Sequence, residues 1–207
     1  MTATHEQTPK LIQVVAFTGM NFLDFSGPLD VFLTANSIVG GPRKPYRVSV
    51  ISPSGHVDMP AGMVIQTSPL TDDTEAAHTL IVSGGPGIEA LCGDEDFKAR
   101  LKVHSDKACR VASVCTGAFA LAAIGLLDGR YATTHWLVFD ELARRHPMVK
   151  VKRGPIFVTD GHVWTSAGVT AGIDLALGIV EQDLGPAVAL NIAQQLVMFL
   201  RRPGDQN

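Results

Sequence analysis

The stretch Val111-Ala112-Ser113-Val114-Cys115-Thr116-Gly117, running straight into Ala118-Phe119-Ala120-Leu121-Ala122-Ala123, constrains this chain more than any other. A short β-prone run climbs to a cysteine. A small polar residue and a glycine follow, and an alanine-rich segment then favours helix. Strand, sharp turn and helix with a nucleophile-type residue at the turn is the layout of a nucleophile elbow. Such a turn lifts the side chain out of the sheet end. It also aims the first, unpaired N–H groups of the helix at the same place, where their dipoles favour negative charge. A thiol held there is expected to give up its proton more readily than a free one. The competing reading is a small buried hydrophobe at a strand end, a common fate of free cysteine. The surrounding residues decide between the two.

They supply alternating strands and helices. Leu11 to Phe17 is nearly all apolar, as a strand covered on both faces is. Beyond Asn21-Phe22-Leu23-Asp24-Phe25, Ser26 offers an N-cap and Pro28 a first-turn residue for a helix from about Gly27 to Ile38. Asp24 sits inside an apolar run, either as a helix-entry acid or as a buried functional one. Tyr46 to Ser52 alternates as a second strand, and a short hairpin fits around Met63-Val64-Ile65. Thr79 to Ser83 is a third core strand ending in Gly84-Gly85-Pro86-Gly87. That cluster either lets the backbone approach a ligand closely or makes a tight turn. It has neither P-loop nor GxGxxG spacing.

Further on, Asp94 caps a helix with Phe97, Leu101 and Ala108 inward. Ala132-Thr133-Thr134-His135-Trp136 leads into a helix with Phe139, Leu142 and Ala143 inward. His135, at its start, reads as a half-buried surface histidine or as a proton carrier beside the thiol. Ile156 to Thr159 and His162 to Thr165 form a hairpin around a two-residue Asp160-Gly161 turn. Ser166 opens a helix running to about Leu184. After Gly185-Pro186, a last helix carries Val188, Ile192, Leu196 and Phe199 as an apolar stripe.

This order predicts an α/β fold: a mostly parallel central sheet with helices on both faces, plus a small β-hairpin. Ligands in such folds gather at the carboxyl ends of the strands. Asp24, Gly84-Gly85 and Cys115 each follow a core strand, so they are expected to share one pocket. With 207 residues, 46% of them hydrophobic, one domain is expected over residues 11–201. Residues 1–10 read as a loose tail and 202–207 as the start of a linker. The net charge of -3 argues against this piece holding nucleic acid itself. Three cysteines without a CxxC pair suggest neither a disulfide framework nor a zinc site, and point to a reducing cytoplasm. Cys92 and Cys109 read as structural. The longest uncharged run, Val111 to Leu127, falls short of the roughly 20 residues that span a bilayer, so no membrane is expected. No metal or cofactor signature is present.

Five pieces together carry a resemblance: Leu23-Asp24-Phe25-Ser26-Gly27-Pro28, Ser83-Gly84-Gly85-Pro86-Gly87, Ser113-Val114-Cys115-Thr116-Gly117, Ala132-Thr133-Thr134-His135-Trp136 and Thr165 to Asp174. In these the chain resembles the ThiJ/PfpI superfamily, flavodoxin-like in fold and related to class I glutamine amidotransferases. Much of that superfamily has glutamate where this chain has Asp24. The aspartate is similar to the isocyanide hydratase branch and to the N-terminal effector domains of bacterial AraC-type transcriptional regulators. The segment from Asn191 to Gln206 resembles the approach to the linker of those regulators.

The resemblance implies an effector-sensing domain that binds a small metabolite among Asp24, Gly84, Gly85, Cys115, Thr116 and Thr170, with His135 nearby. It also implies a homodimer that would meet DNA only through a helix-turn-helix domain absent from this chain. The alternative it implies is a stand-alone hydratase turning an isocyanide into an N-formamide. There Cys115 attacks, Asp24 shuttles the proton, and the N–H groups of Gly85 and Thr116 hold developing negative charge. Redox sensing by Cys115 is a third reading.

Overall fold

The computed structural model describes residues 8–42 and 44–199. Of the tail expected over 1–10, residues 1–7 lie outside the described residues, as does the linker start over 202–207, while Lys10 already opens the first strand. Among the described residues eleven strands appear in chain order: β1 Lys10–Val15, β2 Tyr46–Ser52, β3 His56–Asp58, β4 Val64–Gln66, β5 Ser68–Pro69, β6 Thr79–Val82, β7 Arg110–Val114, β8 Tyr131–Ala132, β9 Lys150–Val151, β10 Phe157–Asp160 and β11 Val163–Ser166. The α-helices are α1 Phe22–Val39, α2 Ile88–Gly93, α3 Glu95–Lys107, α4 Gly117–Ala123, α5 Phe139–Arg145, α6 Ala171–Leu184 and α7 Pro186–Gln195.

A seven-stranded sheet runs in the order β10-β11-β7-β6-β1-β2-β5. Every pairing in it is parallel except β10 with β11. β3 and β4 form the small hairpin, and β8 and β9 a separate parallel pair. α1, α6 and α7 pack together on one side, while α2 packs against α3 and α4. The apolar strand runs thus become a doubly covered core, in which Ile12, Val14, Leu80, Ile81 and Val111 are fully buried. Phe32 of α1 meets Tyr46 of β2 edge-on at 5.0 Å. Burial of each such large side chain contributes about 1.5–3 kcal/mol. From β1 the chain steps to β2 on one side and to β6 on the other. The strand order therefore reverses between β1 and β6, and a crevice opens beyond their carboxyl ends.

Four boundaries differ from the sequence reading, each for a local reason. α1 opens at Phe22, before Ser26, because Asn21 is extended (φ -74°, ψ 124°) and its C=O accepts the Asp24 N–H at 3.1 Å. Pro28 therefore lies inside the helix, where it cannot donate to the Asp24 carbonyl one turn back. The hairpin turn falls on Gly161-His162, one residue late, since Asp160 pairs with Val163 and Gly161 (φ 62°) suits the first turn position. α6 opens at Ala171. Ser166 is still strand, and Gly168 (φ 89°) and Val169 (φ 52°) turn through left-handed backbone no helix accepts. The last stripe stops short of Phe199, which is 78% exposed, because α7 ends at Gln195 and Val197 (φ 55°) redirects the chain.

At the amino ends of the strands, Arg110 reaches across to α6. Its guanidinium donates to Asp183 (3.0 Å) and Gln182 (2.6 Å). Lys10 donates to Asp183 at 2.7 Å, and the Tyr46 hydroxyl donates to the same carboxylate at 3.2 Å. Burial alone would raise the Asp183 carboxyl, but hydrogen bonds and charge from Arg110 and Lys10 overcome it and hold the group below its usual range.

Candidate functional site

Cys115 leaves β7 with φ 55°, a left-handed conformation uncommon for a residue bearing a Cβ. Glycines make room for it. A Cβ on Gly84 would come 2.5 Å from the Cys115 Cβ, and one on Gly168 would come 2.3 Å from Cβ and 2.9 Å from Sγ. A Cβ on Gly117 would meet the Val82 carbonyl at 2.4 Å, so α4 can start directly under β6 only with glycine there. The elbow expected from the sequence is thus built by close backbone approach on three sides.

Asp24 comes to the same place from α1 and is fully buried. Its Oδ1 accepts the backbone N–H of Val169, its Oδ2 accepts Asn21 Nδ2 at 3.2 Å, and the carboxyl hydrogen-bonds the Cys115 thiol. Asn21 precedes α1, yet its amide does not cap the helix; it is spent on the acid. Thr116 Oγ1 accepts the Gly85 N–H at 2.8 Å and donates to the Gly85 carbonyl at 3.1 Å. Its backbone N–H turns to the sulfur.

The electrostatics overturn one expectation. Burial raises the Cys115 thiol first, and the charge of Asp24 adds to it. Hydrogen bonds from Thr116 pull the other way and lose, so the thiol is pushed up to about 12 from an ordinary 9.0. α4 spans only seven residues, a weak dipole against two unfavourable causes. Burial and the Asp24 charge thus both favour the protonated thiol. The Gly85 N–H, expected to hold negative charge, is occupied by the Thr116 hydroxyl.

An open cavity of about 340 Å³ leads to this sulfur. Cys115, Thr116, Gly85 and His135 line it, as does Asn21. Apolar wall comes from Ile88, Leu137, Val138 and Val169, and Glu89 is its one acidic lining residue. His135 precedes a 3-10 turn over Trp136–Val138, and its Nδ1 accepts the Leu137 N–H at 3.4 Å. Its ring makes no hydrogen bond to Cys115 or Asp24 among the described residues. Gly84 lies behind the cavity wall; its carbonyl accepts the Asn21 N–H at 2.8 Å. Thr170 is exposed and stands outside the wall, where its carbonyl accepts the Ile173 N–H at 3.0 Å. The neighbouring Val169 is the residue of that loop that reaches the cavity. Cys109, read as structural, is exposed, and all three cysteines are free thiols. Among the described residues no group of three His, Cys, Asp or Glu could hold a metal ion. Nor is any helix among them long and apolar enough to cross a membrane.

The model of the DJ-1/PfpI family matches residues 10–182. The chain belongs to that family. An isonitrile hydratase of Pseudomonas putida is 32% identical over 187 residues, covering 89% of this chain and 77% of the hydratase. The HTH-type transcriptional regulator GbdR of Pseudomonas aeruginosa is 27% identical over 192 residues, covering 92% of this chain and 51% of the regulator. This chain thus spans about half of that regulator's length. Among solved structures, a ThiJ/PfpI family protein from Pseudomonas syringae superposes with a TM-score of 0.81 at 26% identity, covering 95% of this chain and 78% of that one. The relatives of this DJ-1/PfpI domain thus include both a hydratase and HTH-type transcriptional regulators.

Two site residues of this DJ-1/PfpI domain were not read from the sequence. Asn21 carried a signal, being a polar residue just before a helix. Val169 carried none, because its part is played by a backbone N–H and an unusual φ.

Proposed function

We infer that this chain is an effector-sensing domain of an AraC-type transcriptional regulator, binding a small metabolite in the cavity above Cys115 and Asp24. The observation that carries this reading is the cavity itself: about 340 Å³, open, and ending at the Cys115 sulfur with the buried Asp24 behind it. Burial and the Asp24 charge push that thiol up, which suits it to hydrogen-bonding a guest. Similarity to regulators such as GbdR over most of the chain supports it. DNA would be met through a separate helix-turn-helix domain. A homodimer in a reducing cytoplasm fits the same reading. Calorimetric titration of the domain with candidate metabolites tests it. Saturable binding lost in Asp24→Ala is expected, and binding unaffected by that change would refute the assignment.

The Cys115–Asp24 contact favours a second reading, an isocyanide hydratase. As the sulfur bonds to the isocyanide carbon, Asp24 takes the thiol proton and delivers it to the substrate. Water then adds and the sulfur leaves, giving the N-substituted formamide with the thiol restored. Formamide release from an alkyl isocyanide, abolished in Cys115→Ala, would establish this reading over the first.

A further inference from the structure

The walls of the cavity restrict what can enter it. Glu89 is the one charged side chain on the lining, and no lysine or arginine is among the lining residues. Deeper in, the Asp24 carboxyl stands against the sulfur, with its oxygens taken by Val169 and Asn21. Glu89 is itself paired with Arg145, which is already engaged. Its Nη1 donates to Glu89 Oε1 at 2.6 Å, stands 4.0 Å from Glu141, and its guanidinium lies 5.2 Å over the Phe119 ring. Two carboxylates thus stand beside one guanidinium, which engages a single oxygen of Glu89.

We propose that this cavity admits uncharged and cationic ligands and turns anions away, and that Glu89 sets the preference. The inference rests on the cavity being the ligand site, and holds for an effector or a substrate alike. A ligand fitting it would lay an apolar part against Ile88, Leu137 and Val169 and turn a nitrogen-borne donor or positive charge to Glu89. A carboxylate or phosphate would meet Glu89 with no lysine or arginine on the lining to receive it. The Glu89–Arg145 pair also hides an arginine from the cavity. Removing the acid should do more than neutralise one charge, because it exposes the guanidinium behind it.

Charged thiol reagents read this directly. The intact domain is treated with methanethiosulfonates bearing a trimethylammonium, a neutral methyl or a sulfonate group. Modification of Cys115 is followed by peptide mass mapping, and each rate is normalised to that of 2-mercaptoethanol. One sulfur attacks all three, so its own acidity cancels in the ratio. A cation-over-anion ratio of about tenfold or more is expected at low salt, shrinking as salt rises. Glu89→Gln should bring it toward one, and Arg145→Gln should raise it. An anionic reagent that keeps pace, a ratio unmoved by Glu89→Gln, or a Cys115 that no reagent reaches would each overturn the proposal. The readout involves neither DNA nor turnover. Failure of the effector reading would leave this result standing, and failure here would leave that reading to its own titration.

Discussion

Asp24→Asn should speed alkylation of Cys115, although it removes a group that looks like its partner. In the parent chain burial and the Asp24 charge push the thiol up to about 12 from 9.0, so the protonated form dominates at pH 8. Desolvation is the larger cause and survives the substitution. The Asp24 charge is the second, and two unit charges about 4 Å apart at an effective dielectric near 20 repel by about 4 kcal/mol as a ceiling. Partial compensation by Thr116 and Asn21 leaves an effect of about 1.4–2.7 kcal/mol, or about ten- to a hundredfold in thiolate. Iodoacetamide modification at pH 8, mapped to Cys115, should accelerate by that factor. The same shift reaches stability. A thiol that ionises more easily unfolded than folded gives stability that is complete below about 9 and is lost as pH climbs toward 12. Asp24→Asn should shrink this alkaline loss in denaturant titrations. A parent thiol that titrates at or below 9, or a variant alkylated no faster, would refute the reasoning.

Gly168→Ala should cost about 3 kcal/mol or more in chemical denaturation, since its methyl would sit 2.3 Å from the Cys115 Cβ on backbone of φ 89°. Gly93→Ala, whose methyl meets nothing within 4 Å, is the control and should be near neutral. Arg110→Ala strips Asp183 of its main partner inside a buried network and should lower stability by about 3–5 kcal/mol in urea. The Asp183 carboxyl is held low in the fold, so its contribution is present above its unfolded value and disappears as pH falls below it. The acid limb of the stability curve should therefore flatten in Arg110→Ala.

The fold was legible in the sequence because it rests on periodicity. Apolar runs such as Leu11 to Phe17 and Thr79 to Ser83 are short enough to be strands, and both became central ones. Tyr46 to Ser52 and the Asp94 cap, which accepts the Phe97 N–H at 3.0 Å, were likewise readable from spacing and side-chain type. The gathering of Asp24, Gly85 and Cys115 followed from their places after strands. What escaped depends on distance and burial. The acidity of Cys115 is decided by a carboxyl from α1 and by loss of water, neither of which is written next to the cysteine. The Gly85 N–H was readable as a free donor until Thr116, folded over it, took it. The entry to α6 was misplaced because Val169 adopts a backbone its type disfavours, held by a bond from a residue far away in the chain.

The two ends of α6 are fastened very differently. At its close, Gln182 and Asp183 are gripped by Arg110, Lys10 and Tyr46, a multi-point clamp of charge and hydrogen bonds. At its opening, Ala171 hangs from Gly168 and Val169, whose uneasy turn is braced by one Asp24 oxygen. A guest that loosened that bond would act first on the opening turn of α6, whose Ile173 lies against Gly27 and shares a surface recess with Leu196.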